Sequence, residues 1–213
     1  MKKEIKRTMI ITSIITALPI LIGVCLWNRL PDVIATHFGR DGEANGWSSK
    51  WFAVFGIPLI LVLINVICTV GTETDPRRHK YPEKMMKIVY GICPVVSWIA
   101  MGTVYAKALG FEMSNMVWWV SLFLGVVFIF IGNYMPKVKQ NWYLGIKLPW
   151  TYADEDNWNK THRLGGRVWV IGGILLVLNA FFKIKYLEII IFIAMIMIPT
   201  IFSFLYDIKK RKS

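Results

Sequence analysis

The chain is poor in charge, in cysteine and in histidine. Charged residues make up only 18% of it, against roughly 25% in an ordinary soluble domain. Its mean hydropathy of +0.50 is too apolar for a globular surface. There are three cysteines, Cys25, Cys68 and Cys93, an odd number with no C-x-x-C spacing, which excludes a disulfide framework and a cysteine zinc site. Each falls in an apolar run and reads as a small apolar residue. The three histidines do not cluster. His37 with Asp41 and Glu43 matches no standard metal spacing. No Walker loop, dinucleotide fingerprint or nucleophile elbow is present, so no catalytic, cofactor or metal residue is assigned and the chain reads as a non-enzyme.

What the chain does contain is long apolar runs. Six segments approach the roughly 20 residues a membrane-crossing helix needs: Met9–Trp27, Trp51–Val70, Ile88–Ala106, Met116–Gly132, Val168–Phe182 and Leu187–Leu205. The fifth is short and borrows Leu164–Arg167 as an inner end. No Asp, Glu, Lys or Arg lies mid-span, which disfavours a proton- or ion-coupled transporter. The mid-span polar residues Asn65 and Asn179 are expected to bond neighbouring helices. Pro19, Pro58, Pro94 and Pro199 lie within spans and are expected to kink them. Gly102 with Ala106, and Gly172–Gly173, offer small surfaces for close packing. The N-terminal run lacks an A-x-A-like cleavage site and has bulky Val24 before Cys25, so it reads as an uncleaved first span.

The net charge of +12 raises the question of nucleic acid, and its distribution answers it. With both termini cytoplasmic, the inner segments hold 19 of the 25 Lys and Arg, and the outer segments hold six. That is the positive-inside bias of membrane proteins, and it removes the need for a direct nucleic-acid partner. The expectation is an all-α plasma-membrane protein: one integral domain over residues 1–213, a six-helix transmembrane bundle with cytoplasmic termini, in contact with membrane lipid.

Two connections exceed the 2–8 residues usual between packed helices. The outer loop spans residues 28–50, and Asp41-Gly42 and Asn45-Gly46 read as turns within a compact loop. The inner loop spans residues 134–166 and contains PWTYADEDNWNKTHRLGG. Here Thr151 reads as an N-cap, Asp154, Glu155 and Asp156 as a first turn, and Gly165-Gly166 as a stop. That predicts a short interfacial helix on the cytoplasmic side, between spans four and five. On it Glu155, Trp158 or Asn159, and His162 share a face. His162 with Glu155 has the spacing of an acid–base pair, but no nucleophile or second histidine accompanies it. A structural helix or a partner-binding surface is the better reading.

The run GNYMPKVKQNWYLGIKLPWTYADEDNWNKTHRLGGRVW, Gly132–Trp169, resembles the signature of the SdpI-type membrane immunity proteins. The matching residues are Gly132, Asn133, Pro136, Asn141, Gly145, Ile146, Lys147, Pro149, Trp150, Thr151, Trp158, Thr161, His162, Arg163 and Gly165. Lys147 stands where Arg is common. The outer stretch LPDVIATHFGRDGEANGWSSK resembles a second element of that family, with Ala35 where Pro is frequent. The resemblance implies a multi-pass protein that protects against a secreted antimicrobial peptide toxin. It also implies that some such proteins hold a cytoplasmic transcriptional repressor at the membrane. The inner surface for such a partner would comprise Asn133, Pro136, Asn141, Gly145, Lys147, Pro149, Trp150, Thr151, Glu155, Trp158, Thr161, His162, Arg163 and Gly165. The outer, toxin-facing loop would use Pro31, His37, Phe38, Gly42, Trp47 and Lys50. A small membrane transporter, or a membrane enzyme using the inner loop, is the alternative.

Overall fold

The computed structural model describes residues 3–39, 43–111, 116–184 and 186–212. The chain divides into two compact units, residues 1–74 with 86–117, and residues 75–85 with 118–213. Six helices are long and apolar enough to cross a membrane: Glu4–Cys25, Phe52–Thr74, Glu83–Ala108, Trp118–Lys137, Glu155–Phe182 and Leu187–Lys212.

In the first unit, α1 (Lys3–Ala17) and α2 (Pro19–Cys25) form one interrupted span. Proline supplies no N–H, so Pro19 leaves the carbonyl of Ile15 without its helical donor. The Trp98 indole donates to that carbonyl at 3.1 Å, and Ser97 donates to the next, Thr16, at 2.7 Å. Both come from α4 (Glu83–Ala108), which thereby repairs the break. Asn65 on α3 (Ile57–Thr74) donates to Thr12 and Ser13 on α1, at 2.9 and 3.0 Å. This is the cross-helix bonding expected of a mid-span asparagine. Leu30, Ile34, Ala53, Val54, Met101, Val104 and Tyr105 form the unit's apolar core.

The outer loop departs from an all-α chain. It is an antiparallel hairpin of β1 (Val33–Phe38) and β2 (Ala44–Ser49). The run Val-Ile-Ala-Thr-His-Phe is rich in β-branched and aromatic residues, which suit a pleated, half-buried surface. Ile34 is buried and Phe38 packs on the core beneath. Asn45-Gly46 is not a turn but part of β2. A Cβ on Gly46 would sit 2.9 Å from that of His37, at the register irregularity of the hairpin. Asp41-Gly42 lies outside the described residues.

The second unit is built on α5 (Met116–Tyr134, from residue 118), α7 (Glu155–Phe182) and α8 (Leu187–Lys212), with the short α6 (Pro149–Ala153) ahead of α7. Helices α5 and α7 cross antiparallel at two glycine pairs, two turns apart. A Cβ on Gly125 would lie 2.7 Å from the Gly173 carbonyl, and one on Gly132 2.8 Å from the Gly166 carbonyl. Gly172 is closed off by Met195 of α8. By contrast, a Cβ on Gly102 would meet nothing within 4 Å, so that small residue marks no close approach. The tight link between α7 and α8 is held by Asn179, which accepts from the Ile184 N–H at 2.9 Å and donates to Glu188 at 3.3 Å.

Gly165-Gly166 does not stop the helix begun in the inner loop. Their missing side chains serve close packing, and the backbone stays helical through them. From Glu155 onward the polar stretch is therefore the start of the fifth span and not a separate helix. Asp154 breaks the chain between α6 and α7, and its side chain accepts from the Asp156 N–H at 3.1 Å as an N-cap. The fifth span is thus 28 residues long, about 42 Å at 1.5 Å per residue, ample for a ~30 Å hydrocarbon core.

Candidate functional site

The inner loop is irregular in outline but closely clasped. Asn141 is fully buried and uses both ends of its amide. It donates to the Lys139 and Leu144 carbonyls at 2.8 and 2.9 Å, and accepts from the Tyr143 and Leu144 N–H groups at 2.9 and 2.7 Å. The loop then turns at Gly145, φ +115°, where a Cβ would lie 2.2 Å from His162 Nε2. That glycine lets the Ile146 N–H reach Nε2 at 2.9 Å. His162 Nδ1 lies 2.8 Å from the Trp158 carbonyl. A backbone N–H only donates and a carbonyl only accepts, so the imidazole is a neutral ring with its proton on Nδ1. Both nitrogens are occupied, the ring is buried, and it stacks on Trp158 at 4.0 Å. Glu155 is exposed. This arrangement positions a loop and offers no free base.

Other matched residues act in the same way. Trp158 is fully buried and donates to the Val138 carbonyl at 2.8 Å. Thr151 accepts from the Leu148 N–H at 3.0 Å, and its hydroxyl lies 3.0 Å from the Ile146 carbonyl. Thr161 donates to Asn157 at 2.9 Å, and Asn157 donates to the Ser203 carbonyl of α8 at 3.0 Å. Trp150 donates to the Ser203 hydroxyl at 2.5 Å. Gly165 is packed beneath Ile146 and Met135. Asn133, Pro136, Lys147, Pro149 and Arg163 are exposed, and Lys147 Nζ reaches the Trp142 carbonyl at 3.2 Å.

Several residues of this clasp are not apparent from sequence. Asp75 is buried. It accepts from the Tyr81 hydroxyl, from the Arg77 N–H at 2.7 Å and from the Trp142 N–H at 3.0 Å. Burial pushes its carboxyl up, but these hydrogen bonds and the nearby Arg77 charge outweigh burial and leave its pKa below the ordinary value. Arg77 also donates to Gln140 at 3.1 Å, and Gln140 donates to the Thr151 and Tyr152 carbonyls at 3.1 and 2.8 Å. The one local hint in sequence is Asp75 standing before Pro76 just past a helix. The loop's outward surface is Trp142 and Tyr143, 54% and 44% exposed. The tail of α8 closes the same end. Lys210 pairs with Asp154 at 2.7 Å and holds that carboxyl below its usual range, and Lys160 bridges Asp156 and Tyr206.

In the other unit, Lys50 is tied to Asp32 at 3.0 Å and to the Trp27 carbonyl at 3.3 Å. It also lies 5.2 Å from the centre of the Trp27 ring. Phe38 turns inward. Pro31 is exposed, and Gly42 lies outside the described residues. The outward face of the hairpin carries Val33, His37, Asn45 and Trp47, with Trp47 60% exposed. His37 Nδ1 lies 2.5 Å from the Asn45 side-chain oxygen, and because that oxygen only accepts, the ring nitrogen donates. Among the described residues no group of three His, Cys, Asp or Glu stands together to hold a metal.

The helices also show an inverted polarity. Ile14, Leu21, Leu63, Ile67, Ile171, Phe181, Ile190 and Ile196 face outward, while Thr16, Asn65, Ser97, Asn179 and Ser203 are buried. Six such helices, apolar outside and hydrogen-bonded within, define a multi-pass integral membrane protein. Residues 137–207 match the family model described as the SdpI/YfhL protein family, and residues 14–62 match a domain of unknown function, DUF1648. Immunity protein SdpI of Bacillus subtilis (strain 168) is 26% identical over 194 residues, 91% of each chain. The chain is thus similar to the SdpI-type family, through the model over its C-terminal third and through this relative over most of its length. No solved structure matches it.

Proposed function

We infer that the chain is a non-enzymatic immunity protein of the cell membrane, protecting against a secreted antimicrobial peptide toxin. The observation that carries this is the relative named as an immunity protein, aligned over 91% of both chains. Both termini lie in the cytoplasm on this reading, which the charge bias supports. The hairpin face with His37 and Trp47 meets the toxin outside. The clasped loop, with Trp142 and Tyr143 outermost, is read inside by a cytoplasmic transcriptional repressor held at the membrane. Toxin binding would then bias two states of the protein that the inner loop reports. A transporter or enzyme reading lacks support, since His162 is fully engaged in backbone bonds.

The test is survival of a sensitive bacterium expressing the chain, challenged with a panel of secreted peptide toxins. Trp47→Ala and Asn141→Ala variants are compared at equal membrane abundance. Protection by the parent chain that Trp47→Ala removes supports the reading and its outer face. Absence of protection against every peptide sinks it.

A further inference from the structure

The inner ends of α5 and α7 hold cations that the loop clasp leaves unused. Gly132 and Gly166 meet backbone to backbone, and a Cβ on Gly166 would also lie 2.8 Å from Pro136 Cδ. Flanking this contact are two pairs of residues four apart, Asn133 with Lys137, and Arg163 with Arg167. All four are exposed. Four other cations at this end are committed: Lys160 to Asp156, Lys210 to Asp154, Arg211 to Asp207, and Lys147 to the Trp142 carbonyl. Arg163 and Arg167 have no carboxylate or carbonyl partner among the described residues, and Lys137 lies over the Tyr134 ring at 5.1 Å. Further along α7 the same exposed stripe continues as Ile171, Ile174 and Leu178. The arginines therefore stand where a lipid-facing apolar surface ends.

We propose that Lys137, Arg163 and Arg167 bind the phosphate of an acidic phospholipid headgroup at the α5–α7 crossing, with Asn133 adding an amide donor. Charge complementarity and continuity with the lipid-facing stripe select this occupant. Basic sites between membrane helices take such headgroups, and the planar guanidinium fork matches phosphate oxygens. The site needs only that these helix ends lie at the membrane surface, so it stands or falls separately from the immunity reading.

The experiment uses the purified full chain in nanodiscs or mild detergent. It measures retention of phosphatidylglycerol against phosphatidylcholine by native mass spectrometry and by lipid-dependent thermal shift. The parent chain should prefer phosphatidylglycerol. Each charge removed should weaken the preference about fivefold, and Arg163→Gln with Arg167→Gln together about 30-fold. Arg163→Lys with Arg167→Lys keeps the charge without the fork and should lose less of the preference than the glutamine pair, separating lost charge from lost fold. Lys209→Gln with Lys212→Gln removes equal charge from the tail and should change little. No preference in the parent chain overturns the proposal, as does an equal loss in the tail variant, which would mean bulk attraction. Displacement of the lipid by millimolar glycerol phosphate or inorganic phosphate would also overturn it, by showing a site for free phosphate.

Discussion

Gly110 and Gly145 both take positive φ, at 85° and 115°, but their surroundings differ. A Cβ on Gly110 would meet nothing within 4 Å, whereas on Gly145 it would strike His162 Nε2. Gly110→Ala should therefore cost only backbone strain, about 1 kcal/mol. Gly145→Ala should cost about 3 kcal/mol or more, since it also breaks the Ile146–His162 bond and leaves a buried acceptor unpaired. Thermal unfolding of the purified variants measures the difference, and equal shifts would refute the clasp at Gly145. Asp75 is the second test at this scale. Its folded pKa is lowered, so its stabilisation is present above its ordinary value near ~3.9 and is lost as pH falls through the lower folded value. Asp75→Asn should thus destabilise most near neutral pH, and its deficit against the parent should shrink as pH falls from about 7 towards 3. A deficit constant with pH would contradict the assignment. Asn141, Gly145, Trp158 and His162 were legible as a local motif, though as a candidate partner surface and not as members of a clasp. Asp75 was not, because its partner Trp142 lies 67 positions away.

The helix-breaking prolines show what sequence reveals about an element and what it hides. A kink can be expected wherever a proline enters a span, but not which side chain will satisfy the carbonyl it frees. At Pro199 the freed carbonyl belongs to Met195, and the Trp169 indole of α7 donates to it at 3.1 Å. That repeats the repair of Pro19 by Trp98. Trp169→Phe should leave the carbonyl bare in an apolar setting and cost about 1–3 kcal/mol. In Pro199→Ala the restored N–H can take its place, so the same Trp169→Phe change should then cost about 1 kcal/mol less. A double-mutant cycle in unfolding free energy reads that coupling, and a coupling near zero would refute the repair. The glycines teach a related lesson. Gly102 and Gly172-Gly173 look alike in sequence, but only the second pair marks a close approach, since which face of a helix meets a neighbour is decided by tertiary packing. The same packing carries α7 through Gly165-Gly166, where local rules put a stop. The hairpin was missed for a different reason: its alternation is short, and Asn45-Gly46 looks like a turn while lying within a strand.

For the molecule as a whole, the arrangement across the membrane rests on two independent lines. One is the excess of Lys and Arg in alternate segments, which was fully legible in sequence. The other is contact. Asp75 and Arg77 bond the segment at Gln140 and Trp142, and Asp154 bonds Lys210 near the end of α8. The connection after the second span, the connection after the fourth and the tail after the sixth therefore share one end. If every span crosses, an even number of crossings separates each from the next, and parity puts them on one side of the membrane. On the orientation proposed from the charge bias, that side is the cytoplasm. Labelling with a membrane-impermeant maleimide tests this once Cys25, Cys68 and Cys93 are replaced by alanine, since none is in a disulfide. Ser49→Cys on the hairpin, Lys139→Cys on the inner loop and Lys209→Cys on the tail all sit at exposed positions. Ser49→Cys should react in intact cells, and the other two only after permeabilisation. Reaction of Lys139→Cys and Lys209→Cys from opposite sides would mean that α7 and α8 do not both cross, or that their contacts at the inner end are wrong. Reaction of both from outside, with Ser49→Cys protected, would keep the parity and overturn the orientation, and with it the placing of the hairpin against a secreted toxin.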